Sequence, residues 1–306
     1  MKVSIIIPNY NRTDDLVKNL PLILETGASE VIVVDDGSEQ FQSSALQGFI
    51  QKQNYSSRVT IIENKKNLGF SSTINRGVKE ATGEIVVLLN TDVTPQTDFL
   101  KPLVQHFTDL QVFAVGCLDI SIEGEKEIQR GRGLAKWHHG FLIHKRGEVN
   151  KSETFWVSCG SGAFRKDLWE KLGGLDSLYN PFYWEDIDLS YRARKSGYKI
   201  IFEPLSQVIH RHEEGIIKQK FSQFYIKTIA YRNQFIFIWK NITDYDLLRS
   251  HFLWLSYRLI RRIISLDLPF WLGFMMAIGK LPTILVHRLK TAKLFVKKDK
   301  ELFLDD

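Results

Sequence analysis

The chain has 306 residues, 44% hydrophobic and 25% charged, the balance of a folded protein with one large domain or two smaller ones. Its formal net charge of +6 lies wholly at one end: residues 1–248 carry 30 Lys+Arg against 30 Asp+Glu, and residues 249–306 carry 11 against 5. A neutral body argues against a nucleic-acid binder, and two distant cysteines, Cys117 and Cys159, with no CxxC spacing argue against a zinc site or a disulfide framework and fit a reducing compartment.

VSIIIP (3–8) reads as a strand, and residues 13–26 suit a helix with Thr13 as cap and Asp14 and Asp15 in its first turn. The apolar run before Pro8 is too short for the core of a secretion signal, so it is expected to begin the fold. VIVVDD (31–36) is a second strand, 41–53 a helix, VTIIE (59–63) a strand, 70–81 a helix and EIVVLLN (84–90) a strand. Continuous apolar runs alternating with helices imply an α/β fold, a parallel sheet covered on both faces.

Open α/β sheets bind ligands at the carboxyl ends of their strands. Polar residues gather at those ends: Asn9, Tyr10 and Asn11; Asp35 and Asp36; Asn64 to Asn67; Asn90, Thr91 and Asp92. One such cluster is ordinary turn chemistry; four on one edge point to a nucleotide-like ligand. Neither GxGxxG nor GxxxxGK[ST] occurs, so neither a dinucleotide fold nor a P-loop is supported.

The middle, 117–157, is irregular, with charged turns and strand-like pieces such as GFLIH (140–144). Its histidines His138, His139 and His144 read as a solvated hairpin. WVSCGSGAFRKDLWEKLGGLD (156–176) carries Gly160 and Gly162, suited either to close approach of a ligand or to a strand-to-helix turn. WEDIDLSYRARKSG (184–197) reads as a helix, with Ile187 and Tyr191 on one face, Lys195 in the last turn and Gly197 as the stop. Its acids Glu185, Asp186 and Asp188 follow an aromatic turn, YNPFYW (179–184). Carboxylates there serve either the helix dipole or, beside apolar walls, general-base chemistry. YKIIFEP and SQVIH (198–210) read as strands, and 231–242 and 251–266 as helices.

IIIPNYNR, VIVVDDGS, NKKNLGFSSTINRGVKEATGEIVVLLNTDV, CGSGAFRKDLWEKLGGLD, WEDIDLSYRARKSG and VIH stand in the order found in family 2 glycosyltransferases. The chain resembles these inverting, nucleotide-sugar-dependent enzymes of the GT-A fold over residues 1–240. Within them it looks closest to the branch that builds bacterial cell-surface polysaccharides, many of them rhamnosyltransferases. The resemblance implies a mixed, mainly parallel sheet with helices on both faces. It divides the chain into a nucleotide-binding half (1–116), an acceptor half (117–240) and a helical extension (241–306).

Roles follow residue by residue from the resemblance. Asp35 matches the acid that bonds the donor's base, and Asp36 a more variable position. Pro8 and Tyr10 match the loop lining the nucleotide, and Asn67 and Asn75 the segment packed under it. Asp92 matches the last acid of the DxD motif, here Asn90-Thr91-Asp92, which binds a divalent cation (Mg²⁺ or Mn²⁺) through the diphosphate. Asp186 matches the base. His210 matches a histidine that helps hold metal or diphosphate, with His212 in its place if the register is off by two. Gly160, Trp184 and Glu185 belong to the acceptor and sugar pocket, with Trp184 and Phe182 expected as a sugar-stacking wall. Asp188 is expected to be a structural helix acid, and Arg192 to pair with an acid of its own helix. The implied partners are a UDP-, dTDP- or GDP-sugar donor and a glycan or lipid-linked acceptor.

Inverting glycosyl transfer needs one base for the acceptor hydroxyl and a means of stabilising the departing diphosphate, a task suited to a hard cation held by few carboxylates. It needs no second carboxylate to protonate the leaving oxygen. Two rivals compete. A non-catalytic, membrane-attached sugar-nucleotide-binding scaffold is separated by donor turnover. A nucleotidyltransferase needs a Gly-rich basic loop after the first strand, where this chain has PNYNRTDD.

The extension has its own logic. Its longest uncharged apolar run, Leu268–Gly279, is too short to span a bilayer, which needs ~20 residues. Tryptophans, apolar faces and flanking Lys and Arg suit helices lying in a membrane interface, with a helical cap over the catalytic domain as the alternative. The expected place is cytoplasmic, peripheral at the inner face of the cell membrane.

Overall fold

A computed structural model describes residues 1–39, 43–211 and 220–304. The first part alternates strand and helix: β1 (Val3–Asn9), α1 (Thr13–Glu25), β2 (Glu30–Asp35), α2 (Ser43–Lys52), β3 (Val59–Glu63), α3 (Phe70–Glu80) and β4 (Ile85–Leu88). These strands pair in parallel in the order β3-β2-β1-β4. Side chains alternate across a strand. Ile5, Ile7, Val31, Val33, Ile85 and Val87 therefore pack on one face with Leu16, Leu20 and Ile23 of α1. Ile6, Ile32, Val34, Val86 and Leu88 pack on the other with Ile74 and Val78 of α3. Both faces are covered, which is why the strands are apolar throughout. Thr13 is the first residue of α1 rather than its cap: Arg12 holds the cap position and no side chain caps there.

The second part is β5 (Val93–Pro95), α4 (Leu100–Gln105), β6 (Val112–Glu123), β7 (Lys126–Arg130), β8 (Gly133–His138), β9 (Phe141–Arg146), β10 (Gly162–Arg165), α5 (Lys166–Leu172), α6 (Glu185–Lys195) and β11 (Lys199–Arg211). The sheet continues β4-β10-β6-β11-β5, with β10 antiparallel to both neighbours, β11 parallel to β6 and antiparallel to β5, and β7 off the edge of β6. The irregular middle resolves into this β6–β7 hairpin and the separate β8–β9 hairpin. The two strands read over 198–210 are one strand, whose register against β6 shifts between Glu203 and Gln207, around Pro204.

Four helices close the chain: α7 (Gln223–Asn241), α8 (Tyr245–Ile264), α9 (Leu268–Gly279) and α10 (Leu281–Ala292). The expected boundary at 240/241 falls at the end of α7. Beyond it, Leu255, Phe270, Ala277 and Ile284 share one core with Trp184, Ile187 and Tyr191 around α6. Buried ion pairs fix the join. Lys240 of α7 reaches Asp176 at 2.6 Å and Asp188 at 2.9 Å, and Lys195 pairs with Asp299.

Candidate functional site

One corner of the site forms where β1 and β2 end. Asn9 lies opposite Asp35 in the ladder, and its side-chain amide donates to Asp35 Oδ1 at 2.7 Å. The Ser38 hydroxyl and backbone N–H donate to the same carboxylate at 2.6 and 2.9 Å. Asp35 is thus buried and locked in orientation. Asn9 Oδ1 is also buried and finds no partner among the described residues, an open acceptor beside Asp35. Pro8 and Tyr10 flank this point half-buried, and Lys220 lies 4.7 Å over the Tyr10 ring. Asp36 points the other way: its oxygens accept from Asn64 and from the N–H groups of Leu68 and Gly69 at 2.8–2.9 Å. It holds the 64–69 loop against Gly37, whose φ is +70° and on which a Cβ would lie 2.6 Å from the Lys66 backbone, leaving no room for a side chain. Asn67, exposed, accepts from Gly69 N–H at 3.1 Å. The Asn75 carboxamide is committed to both backbone groups of Leu175, at 2.7 and 3.0 Å, and so ties α3 to the 173–176 loop.

A second group forms after β4. Thr91 is buried and its carbonyl accepts from Asn19 of α1 at 2.7 Å, which fixes the Asn90-Thr91-Asp92 turn. β5 pairs antiparallel with β11 so that His210 faces Val93. This register brings His210 Nε2 to 3.5 Å from Asp92 Oδ1, while Nδ1 lies 3.2 Å from Asp119 Oδ2. Burial works against the imidazolium, yet the two acids outweigh it and raise His210 to about 9. Burial likewise opposes the Asp92 carboxylate; the His210 bond and charge, with Arg12, still hold it below its ordinary range. His212 lies outside the described residues.

Short links join this group to the start of α6. Asn90 N–H donates to the Gly160 carbonyl at 2.9 Å, and a Cβ on Gly160 would lie 2.8 Å from the Asn90 amide. The neighbouring Cys159 thiol, buried, is pushed up first by burial and then by the charges of Asp186 and Glu185. Val157 N–H donates to Ser190 of α6 at 3.0 Å. Residues 157–160 therefore link the Asn90-Thr91-Asp92 turn to α6.

Glu185 and Asp186 each keep some exposed surface, but their carboxyls sit deep. Burial raises Asp186 to about 6, although Ile187 N–H donates to it at 2.7 Å. Burial and then the Asp186 charge raise Glu185 to about 8, and Glu185 Oε2 has no hydrogen-bond partner among the described residues. The lower acid thus ionises while its neighbour keeps a proton. Asp188 is of another kind. Fully buried, it accepts from Tyr179, Arg192, Lys240 and Asn241 at 2.7–3.0 Å, the structural role expected of it. Arg192 pairs within its own helix and also holds the Gly174 carbonyl at 2.6 Å.

The turn before the pair is strained. Tyr183 and Trp184 have φ of +71° and +78°, which cost of order 1–3 kcal/mol each in non-glycine residues. Asn233 of α7 offsets this: its amide nitrogen lies 2.9 Å from the carbonyls of Tyr179, Phe182 and Tyr183. The expected stacking wall is corrected here. Trp184 and Phe182 are 5% and 6% exposed, the first packed on Phe237 and His144 and the second on Phe221, so neither offers an open ring face. Tyr183, 40% exposed and near enough to Glu185 to feel its charge, is the ring this turn presents. Of the hairpin histidines, His139 stacks on Trp254 at 4.0 Å, and His144 contacts Trp156 and Trp184 edge-on.

The family model described as "Glycosyl transferase family 2" matches residues 4–173, more than half of the chain. The chain belongs to glycosyl transferase family 2. The pre-mycofactocin glycosyltransferase of Mycobacterium tuberculosis is 27% identical over 213 residues, which are 69% of this chain and 43% of that relative. The chain therefore spans less than half the length of this curated relative. Two solved glycosyltransferases share the fold. GalNAc-T7 with UDP, GalNAc and Mn²⁺ superposes with a TM-score of 0.65 at 16% identity, covering 80% of this chain and 48% of that one. The mannosyltransferase PcManGT of Pyrobaculum calidifontis with GDP-Man and Mn²⁺ gives 0.56 at 18% identity, covering 94% and 87%.

Both of those structures hold Mn²⁺, and this family 2 chain can be tested for fit. Among the described residues no group of three or more His, Cys, Asp or Glu side chains is disposed to hold a metal. Asp92 and His210 supply two donors of the right chemistry, with Asp119 orienting the imidazole from behind, the usual outer support of a ligating histidine. That set fits a cation whose remaining positions are filled by phosphate and water.

Sequence reasoning placed Asn9 among the polar strand ends without its bond to Asp35, and it missed Asp119, Tyr183, Lys240 and Asn233. Only the last left a signal, lying in a run of three polar residues, Arg232 to Gln234, inside the apolar stretch IAYRNQFIFIW (229–239). The others are recruited by sheet register and helix packing.

Proposed function

We propose that this glycosyltransferase moves a sugar from a nucleotide-sugar donor to a hydroxyl of a glycan or lipid-linked glycan, with inversion, at the cytoplasmic face of the cell membrane. The observation that carries the proposal is the Glu185–Asp186 pair, two proton-hungry carboxyls at a strained helix start that residues 157–160 link to the Asn90-Thr91-Asp92 turn.

Asp35, with Asn9 beside it, suits the polar edge of the donor's base, and Pro8 and Tyr10 its flanks. Thr91, Asn67 and Asn75 shape that half. Asp92 and His210 would hold Mg²⁺ or Mn²⁺, which when bound neutralises charge developing on the departing diphosphate. Gly160 keeps the floor between the two halves free of a side chain. Asp186 accepts the proton of the acceptor hydroxyl as that oxygen attacks the anomeric carbon. Its raised affinity suits the task, since a base works best with a pKa near the working pH. Glu185, still protonated, donates a hydrogen bond that orients the acceptor, and Tyr183 offers the open ring for a sugar face. The order and spelling of the motifs favour a hexosyl or deoxyhexosyl donor in cell-surface polysaccharide synthesis, rhamnosyl transfer among them.

The test is a thermal-shift screen of UDP-, dTDP- and GDP-sugars with Mn²⁺ or Mg²⁺, since a ligand that binds only the folded chain raises its melting point. The stabilising donor is then followed for nucleoside diphosphate release. Binding without release, with every acceptor glycan offered, would favour the scaffold reading instead.

A further inference from the structure

Helices α8 to α10 each bury one face and leave an apolar one in water. In α8, Leu247, His251 and Leu255 face the core, while Leu253, Tyr257, Ile260 and Ile264 form an exposed row at helical spacing. In α9, Phe270, Gly273 and Ala277 face inward. A Cβ on Gly273 would lie 2.8 Å from the Thr228 carbonyl, so this helix is seated directly on the α7 backbone. Its outer side shows Leu272, Met275 and Met276. α10 leaves Leu281, Leu285 and Leu289 exposed.

The chain turns between α8 and α9 at an apolar corner. Ile264 and Leu266 are each 79% exposed there, with Ile260, Ile263 and Leu268 beside them. Leu266 has a φ of +51°, and Arg262 clamps the corner through Asp267 at 2.6 Å. A fixed, outward-pointing aliphatic tip of this kind is costly in water.

We propose that this corner and the outer rows of α8 to α10 seat the protein on an anionic lipid bilayer. Charge selects that occupant. The segment 249–306 carries the chain's entire positive excess, and Arg261, Lys290 and Lys293 are exposed near the apolar rows. A second copy would set like charges against each other, whereas an anionic headgroup layer neutralises them. No single described helix is long and apolar enough to cross a membrane; α9 and α10 have the length and apolar content only as a pair bent by 67°, and the faces they keep buried against the protein favour a position on the surface. The inference deepens the proposed transfer to a lipid-linked acceptor: α7, the base of this layer, also holds the turn before Glu185 and Asp186.

The experiment is co-flotation of the full chain with mixed phosphatidylglycerol–phosphatidylcholine vesicles and with pure phosphatidylcholine vesicles. The chain is expected to float with the mixed vesicles and at least tenfold less with the neutral ones. The triple variant I260S/I264S/L266S is expected to lose at least tenfold, and R261Q about fivefold. Circular dichroism confirms that the variants fold, as exposed polar replacements should. The proposal is overturned if the wild type stays at the bottom with mixed vesicles, or if the triple variant floats equally well. It is also overturned if sedimentation without lipid gives a dimer that the triple variant dissolves. Nucleoside diphosphate release in vesicle-free buffer is measured in parallel. Its absence from the wild type with glycan and detergent-solubilised lipid-linked acceptors offered would remove the transfer reading and leave the docking result standing.

Discussion

Replacing Asp186 by Asn isolates the proton-accepting role. The Asp186 oxygen that accepts Ile187 N–H at 2.7 Å has a counterpart in the asparagine carbonyl, so the helix start is retained. What disappears is the negative charge. General-base catalysis contributes about 10²–10⁴-fold, or about 2.7–5.4 kcal/mol at 1.36 kcal/mol per decade. Part of the loss is recoverable: without the Asp186 charge, Glu185 loses one of the influences that raise its pKa and can ionise more readily. The single variant should therefore fall toward the shallow end of that range, and E185Q/D186N toward the deep end. The assay is acceptor-dependent nucleoside diphosphate release at saturating donor, with donor affinity measured separately by calorimetry. Unchanged affinity with a reduced turnover is expected. A variant turning over within about threefold of the wild type would remove Asp186 from the reaction, since a true base contributes far more.

Three further outcomes follow. Because burial raises Asp186 to about 6 and the base works ionised, kcat/KM should fall tenfold per pH unit below about pH 6; E185Q should leave that limb in place, because Glu185 still holds its proton there, and a limb near pH 4 would contradict the burial argument. Asp92→Ala should abolish cation-dependent donor stabilisation in a thermal-shift assay, and equal nucleotide binding by the wild type with and without Mn²⁺ or Mg²⁺ would remove Asp92 and His210 from metal binding. Lys240→Met takes away the cation shared by the buried Asp188 and Asp176 and leaves them Arg192 and His287, so a loss at the low end of about 3–5 kcal/mol is expected in urea unfolding; a change below about 1 kcal/mol, the worth of a surface pair, would mean the network is not what joins α6 to α7.

The first 116 residues were legible because their signals are local. Strands buried on both faces must be apolar throughout, and the polar residues at their ends must stand where a ligand can reach them. Residues 117–240 were harder to read. β7 (KEIQR) and β9 (FLIHKR) each show solvent along much of their length, which blurs an alternating pattern. β10 is four residues long and owes its place to β4 and β6 on either side. The same limit explains the aromatic turn. Phe182, Tyr183 and Trp184 are adjacent and chemically alike, and only the positive-φ backbone decides which two are buried and which is presented. Asp119 was invisible for a related reason, because its partnership with His210 depends on the β6–β11 register. In the extension, apolar content was plain, but the split into a core face and an outer face needed the packing of α9 on α7.

The most direct measurement is a crystal structure of the chain with Mn²⁺ and an uncleaved nucleotide sugar. The account predicts the base beside Asp35 and Asn9, the cation between Asp92 Oδ1, His210 Nε2 and the diphosphate, and the anomeric carbon open toward Asp186. A donor bound with its sugar turned away from α6, or a cation held without Asp92, would contradict it.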